Sequence, residues 1–334
     1  MNIGLTYDLQ TDPADEHQAE FDSPATLNAL QGALESLGHC VVRLGNAQQL
    51  LADRAQLDRV DLVFNIAEGR SGRCREAWVP TLLEHWGIPF VGSGAVTQAL
   101  ALDKVMTKRL AHASGIPTPR GISLEAPVSL AQLADLSFPL IVKPRYEGSG
   151  LGVDRNAVAH DLSSLNRRIA WALARFQQPC VVEEFIPFGE FTVLLIGNHP
   201  PRALPVIQRP IDPESRLSCH VVGSSTRHWL SPVDLTPALE IAAQALAVAT
   251  SETLGCRDMA RVDLRVDDQG RLYLLEINPL PSFDPDGSVG LLAEYLGIPY
   301  AVLVGDILDA SLRRIGASRT SHPGRPLCVR RDAQ

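Results

Sequence analysis

Arg261, Asp263, Glu276 and Asn278 fall in two short runs on either side of a turn-prone cluster, Asp267-Asp268-Gln269-Gly270. Val262-Asp263-Leu264-Arg265-Val266 alternates apolar and charged residues, and Leu272-Tyr273-Leu274-Leu275-Glu276-Ile277-Asn278 is rich in strand formers. The spacing predicts a hairpin in which Val266 faces Arg271, Asp263 faces Leu274 and Arg261 faces Glu276. Side chains alternate along a strand, so the four polar residues share one face, while Val262, Leu264, Val266, Tyr273, Leu275 and Ile277 share the other. Asp263 and Glu276 then sit as diagonal neighbours, close enough to grip one ion. Two carboxylates and an amide carbonyl beside an arginine suit Mg²⁺, a hard cation that usually shares phosphate oxygens. The same alternation also describes an exposed hairpin with a solvated charged face. The sequence Asn278-Pro279-Leu280-Pro281 ends the second strand just where Asn278 is presented.

A second cluster surrounds Gly148-Ser149-Gly150-Leu151-Gly152, a turn able to aim backbone N–H groups at a phosphate or simply to close a hairpin. It follows neither the Walker A nor the dinucleotide-binding pattern. Lys143 ends the otherwise apolar strand before it, and a buried lysine needs an anionic partner. Lys104 lies in Leu102-Asp103-Lys104, either as a solvated helix charge or as a second phosphate ligand. Glu183 and Glu190 flank the elbow Phe185-Ile186-Pro187-Phe188-Gly189; they are strand-end charges or partners for an adenine amino group and a ribose hydroxyl.

The elements that must position these groups alternate strand and helix. Residues 2–7, 39–44, 62–66 and 87–91 read as strands and residues 24–37 and 77–86 as helices, a small parallel sheet covered by helices. Asp22-Ser23-Pro24 is a helix-start signal. One helix is predicted over residues 96–114, others over 163–176, 236–254 and 289–296, with strands at 138–144, 180–186 and 191–196. The expected division is residues 1–93, 94–186 and 187–316, with an arginine-rich mobile tail over 317–334. The chain has 334 residues, 45% hydrophobic and 20% charged, enough for more than one core. A net charge of −8 without a basic stripe argues against nucleic acid. Six scattered cysteines read as reduced, mostly buried thiols of a cytoplasmic protein, and nothing approaches a signal peptide or a membrane span.

Together these motifs resemble the ATP-grasp superfamily, and within it the D-alanine–D-alanine ligase family. The resemblance rests on Gly92-Ser93-Gly94 with Leu102-Asp103-Lys104, Val142-Lys143-Pro144 with the glycine-rich turn, Val182-Glu183-Glu184-Phe185 leading to Gly189-Glu190-Phe191-Thr192-Val193, and Ala260-Arg261-Val262-Asp263 with Glu276-Ile277-Asn278. It implies an α/β (α+β) fold in which a small parallel-sheet domain precedes two subdomains that sandwich a nucleotide. It assigns ATP to Lys104, Lys143, Glu183, Glu184, Ile186 and Glu190. Two Mg²⁺ ions, with Mn²⁺ as a substitute, fall to Asp263, Glu276 and Asn278, and catalysis to Arg261, Ser149 and Gly150. The family's reaction makes an acyl phosphate from a carboxylate, then an amide from an amine, and its members are commonly homodimers.

The substrate side departs from that pattern. The family's His-Gly and Gly-Glu-Asp-Gly are replaced by Ala67-Glu68-Gly69 and Gly72-Arg73-Cys74-Arg75-Glu76, its Glu-Val-Ser by Phe21-Asp22-Ser23, and its Pro-Gly after the metal asparagine by Pro281-Ser282. The family's Lys-Tyr has no counterpart over residues 208–229, which offer Arg209, Arg216, His220 and Arg227. The expected substrate residues are Asp22, Glu68, Arg73, Arg75, Ser282 and Ser288, with the two arginines forming a fork for a substrate carboxylate or remaining solvated loop charges. The expectation is a ligase joining amino acids or peptides other than two D-alanines. The alternatives are a D-alanine–D-alanine ligase and a nucleotide-binding regulator without turnover.

Overall fold

In the computed structural model, which describes residues 1–222 and 234–321, the first unit is a four-stranded parallel sheet. Its strands β1 (Asn2–Thr6), β2 (Cys40–Gly45), β3 (Leu62–Asn65) and β4 (Phe90–Val91) lie in the order β2-β1-β3-β4. Short apolar strands alternate with α1 (Pro24–Ser36), α2 (Ala47–Ala52) and α3 (Trp78–Trp86), as the sequence pattern requires. Ser23 caps α1 by accepting from Thr26 N at 3.1 Å.

The helix expected over residues 96–114 is two helices, α4 (Ala95–Leu102) and α5 (Lys104–Ala113). Asp103 makes the break: with φ −82° and ψ 96° it leaves the helical region and accepts from Val105 N at 3.0 Å and Met106 N at 3.2 Å. The fork of Arg145 grips the same carboxylate at 2.8 and 2.7 Å. Lys104 is therefore the first residue of a helix, not a mid-helix surface charge.

The second sheet is antiparallel: β5 (Gly121–Leu124), β6 (Leu140–Pro144), β7 (Val158–Ala159) and β8 (Cys180–Glu184) lie in the order β5-β8-β6-β7, backed by α6 (Leu162–Phe176). The glycine-rich turn connects β6 to β7. The third sheet runs β10-β9-β12-β13 with β11 also on β9: β9 (Gly189–Ile196), β10 (Arg202–Ala203), β11 (Ile207–Arg209), β12 (Met259–Val266) and β13 (Leu272–Asn278). A short α7 (Cys219–Val222) follows β11, and α8 (Pro237–Leu254) covers the sheet. Helices α9 (Ser288–Leu296) and α10 (Tyr300–Ser321) return to the first unit.

Packing does not follow the linear division of the chain. Ala101 of α4 and Ala111 of α5 lie in the apolar core of the third sheet, with Phe191, Val262, Leu264 and Ala247. Val289, Leu292, Leu303 and Ile307 of α9 and α10 fill the core of the first sheet with Ile3, Leu5 and Phe64, joined by Leu194, Ile196 and Met259 from the third. The first and third sheets are thus locked through a shared apolar cluster, whereas the second sheet packs on α6 around a core of its own, with Leu140, Val142, Leu165, Ile169 and Val182. Helix α10 continues to Ser321, into the segment expected to be tail; the rest of that segment lies outside the described residues. Among the described residues Cys180, Cys219 and Cys256 are buried thiols and Cys40 and Cys74 are exposed ones. No single described helix is long and apolar enough to cross a membrane.

Candidate active site

The hairpin forms, with a different register from the one expected. Val266 pairs with Leu272 and Leu264 with Leu274, and then a bulge at Leu275 shifts the ladder, so that Asp263 pairs with Glu276 and Arg261 with Asn278. The extra residue changes which side chains share a face. Leu272, Leu274 and Ile277 enter the core beside Val262, Leu264 and Val266. Leu275, expected among them, lines the cavity, and Tyr273 instead donates its hydroxyl to Asp267 at 3.2 Å. The bulge satisfies both demands at once: apolar residues stay buried, and the two carboxylates become direct rather than diagonal neighbours.

Each residue of this quartet has a partner within the protein. Thr192 donates to Asp263 Oδ1 at 2.6 Å and Arg261 Nε to Asp263 Oδ2 at 3.0 Å. Arg261 also stands 3.8 Å from Glu276 Oε1, and Lys104 Nζ lies 3.3 Å from Glu276 Oε2. Burial pushes the Glu276 carboxyl up, but Lys104, Arg261 and Lys143 outweigh it and hold it at about 2, so it is ionised at neutral pH. Asn278 Oδ1 accepts from Leu280 N at 2.8 Å, which fixes the amide at the strand end.

Opposite the hairpin, Lys143 meets Glu183 Oε1 at 2.5 Å, and Lys108 grips the other oxygen of the same carboxylate. Glu183 is 1% exposed; burial raises its pKa, yet the two lysines bring it down to about 2. Lys108, which the sequence reading passed over, is pushed down to about 8 by burial. Its signal was its place one helical turn after Lys104. The structure also places Glu190 against Arg265 at 2.7 Å and Glu184 against Arg120 at 2.5 Å, with Ile186, Glu184 and Glu190 all lining the cavity. Arg265 and Thr192 are further residues missed from sequence; Arg265 follows Asp263 by two on one strand, the period that shares a face.

The glycine-rich turn closes over this region and is held at its start. Arg75 Nη1 donates to Tyr146 O and Lys104 Nζ to Glu147 O, each at 2.6 Å, and Gln178 accepts from Tyr146 N at 2.7 Å. Ser149 has φ +49° and Gly150 φ +72°, both lining the cavity. Gly152 is required twice over: its φ is +72°, and a Cβ there would lie 2.6 Å from Pro144 Cγ and 2.7 Å from Phe176 Cε2.

On the side of the first sheet, the expected arginine fork is absent. Arg73 is exposed and does not line the cavity. Arg75 is buried, but Glu20 and the Tyr146 carbonyl take its guanidinium, so it braces the turn and presents no fork. Of the other substrate residues expected, Asp22, Glu68, Ser282 and Ser288 do line the cavity, joined by Glu76, which was not singled out. Of the segment 208–229, Arg209 reaches the site, donating to Thr192 Oγ1 at 2.8 Å; Arg227 lies outside the described residues. The hairpin quartet, Lys104, Lys143, Glu183, Glu190, Arg209 and the acidic residues Asp22, Glu68 and Glu76 surround one cavity of about 660 Å³ between the three sheets, a size typical of small-molecule sites.

Residues 118–309 match the family described as D-ala D-ala ligase C-terminus. A D-alanine–D-alanine ligase from Alcanivorax borkumensis is 35% identical over 76% of this chain and 78% of its own. One from Cupriavidus metallidurans is 37% identical over 75% of this chain and 76% of its own. An uncharacterised protein y4sG from Sinorhizobium fredii is 32% identical over 76% and 75% respectively. In fold, the chain matches a crystal structure of D-alanine–D-alanine ligase from Bacillus anthracis complexed with ATP, with a TM-score of 0.76 and 23% identity over 95% of this chain and 99% of that one. With the ATP-grasp architecture and the sequence match agreeing over most of its length, the chain belongs to the D-alanine–D-alanine ligase family of ATP-dependent carboxylate–amine ligases.

Proposed function

We propose that this enzyme forms an amide bond between two amino-acid-type substrates, other than two D-alanines, through an acyl phosphate made at the expense of Mg·ATP. The carrying observation is that Lys104, Lys143 and Arg261 converge with Asp263, Glu276 and Asn278 on one cavity. In the reaction proposed, a substrate carboxylate oxygen attacks the γ-phosphorus of ATP and ADP leaves. The amine nitrogen of the second substrate then attacks the acyl carbon, releasing phosphate and a proton. Lys104 and Lys143 hold phosphate oxygens, and Arg261 faces the negative charge that develops on the acyl oxygen as the amine adds. Ser149 and Gly150 present the glycine-rich turn over the phosphates, and the Arg75 and Lys104 bonds to its first residues draw it shut against water.

The donor set fits Mg²⁺. Among the described residues no three His, Cys, Asp or Glu side chains converge on one point. Two carboxylates and one amide are, however, the kind of all-oxygen set used when phosphates complete the coordination. Asp263, Glu276 and Asn278 would hold the metal, which when bound neutralises phosphate charge and supports transfer.

That the substrates are not two D-alanines is supported by the divergence of Asp22, Glu68, Glu76 and Ser282 on the cavity wall facing the first sheet, beside an intact nucleotide side. Phosphate release and product mass, measured with D-alanine alone and with paired L- and D-amino acids at saturating ATP, test the reading. A kcat/KM for D-alanine above that of every other pair would overturn it.

A further inference from the structure

The wall of the cavity nearest the first sheet is acidic, and three of its carboxylates have no partner among the described residues. Glu76 is 6% exposed and lines the cavity, yet its side chain makes no hydrogen bond and no ion pair among the described residues. Glu68 and Asp22, both half-buried, line the same wall and likewise have no hydrogen-bond or ion-pair partner among the described residues. Their acidic neighbours are already engaged: Asp8 accepts from Asn46 Nδ2 and Gly69 N, Asp284 from Thr26 Oγ1, and Glu20 from Arg75. The bases in reach are committed elsewhere. Arg75 is held by Glu20 and the Tyr146 carbonyl, Lys104 by Glu276 and the Glu147 carbonyl, and Arg261, which is near enough to feel Glu68, by Asp263.

A carboxylate as buried as that of Glu76 is costly without a partner unless it takes a proton or receives a cation, and half-buried Glu68 and Asp22 add like charge beside it. The strain is visible in the acidities. Burial, with Asp8 and Asp284, pushes Asp22 up to about 8; burial, against the pull of Arg75, pushes Glu76 to about 8; and Glu68 is raised well above its usual range by burial and Glu76. These groups do not make a metal site, since no three converge on one point among the described residues. An extended organic cation, which meets carboxylates one at a time along a wall, fits where a point ion does not.

We propose that one of the two substrates carries a second cation, an ammonium or guanidinium beyond its α-amino group, and that Glu76, Glu68 and Asp22 receive it. This rests on the ligase reading and reverses the sign expected from Arg73 and Arg75: the pocket selects a basic substrate, of the lysine, ornithine or arginine type, not an acidic one. Glu76 lies close enough to Lys104 and Glu276 to feel both. The cation would therefore seat beside the reacting groups and orient the substrate carrying it.

The test uses charge-bearing substrates and their neutral shape-mates in the phosphate-release assay at saturating Mg·ATP: lysine against norleucine and ornithine against norvaline, both enantiomers of each, paired across an amino-acid panel. A site built around the cation should favour it by about 100-fold or more in kcat/KM. The isosteric variants Glu76→Gln and Glu68→Gln should raise KM for the basic substrate about tenfold or more and shrink the lysine-to-norleucine ratio, with KM for ATP unchanged. Equal use of norleucine and lysine, or a ratio unmoved in both variants, would overturn the inference while leaving the ligase reading intact. No phosphate release from any pair would overturn the ligase reading, and this inference with it.

Discussion

Glu183→Gln removes the anion that two buried lysines share, and its cost can be worked from the structure. Glu183 is 1% exposed, and the side chains of Lys108 and Lys143 are 12% and 11% exposed. Holding this carboxyl at about 2, below its usual 4.5, corresponds to roughly 3 kcal/mol of stability at neutral pH. Burial works against the pair from the other side, since it lowers Lys108 to about 8. The intact triad therefore contributes little net stability, while breaking it strands two cations. In the variant Lys108 would lose its proton near neutral pH, which caps the loss near the same roughly 3 kcal/mol, or a fall in Tm of roughly 4 °C for a chain of 334 residues. The sign with pH follows from a depressed carboxyl: the stabilisation is present above about 4.5 and disappears as pH falls toward 2, so wild type and variant should converge in acid. Urea unfolding of both proteins from pH 7 down to pH 3 measures this. The double variant Glu183→Gln with Lys108→Met should recover part of the loss, because one stranded charge is gone. A single variant within about 0.5 kcal/mol of wild type at pH 7, or a double variant no more stable than the single, would refute the reasoning.

Asp263→Ala or Glu276→Ala should lower kcat below about a tenth of wild type, a loss exceeding about 1.4 kcal/mol of transition-state stabilisation, with circular dichroism unchanged; retained turnover in a folded variant would remove the metal assignment. ATP with Mg²⁺ should slow proteolysis within residues 146–153, and Arg75→Ala should speed it in the free protein, because that side chain holds Tyr146 O; equal cleavage in all states, read by mass spectrometry, would exclude a lid. Asp258→Ala should cost about 3–5 kcal/mol in denaturant unfolding, since this fully buried carboxylate accepts from Arg314 at 2.8 and 2.6 Å and from Gly92 N at 2.9 Å. A loss under about 1 kcal/mol would show that the Arg314 clamp contributes little.

Much of the nucleotide side was legible in the sequence because local rules govern it. Period-two alternation, the turn at Asp267-Asp268-Gln269-Gly270 and the stop at Asn278-Pro279 place Arg261, Asp263, Glu276 and Asn278 on a hairpin whatever surrounds it. The capping signal at Ser23 and the glycine spacing of the turn likewise act over a few residues. What tertiary structure decided was set by distant partners. The bulge at Leu275 arises because burying Leu272, Leu274 and Ile277 against α8 must coexist with Glu276 facing the cavity. The break at Asp103 is fixed by Arg145, 42 residues away, and the sharing of Glu183 by Lys108 and Lys143 joins groups 75 and 40 residues apart. Most consequential is Arg75. Its sequence neighbourhood suggested a fork for a substrate carboxylate, but Glu20 and the Tyr146 carbonyl, 55 and 71 residues distant, capture it and leave Glu76 beside it unpaired among the described residues. Sequence alone determined most charges of the nucleotide side; only the folded chain added Lys108, Arg265 and Glu76, left out Arg73 and determined which charges cancel, and so the sign of the field a substrate meets.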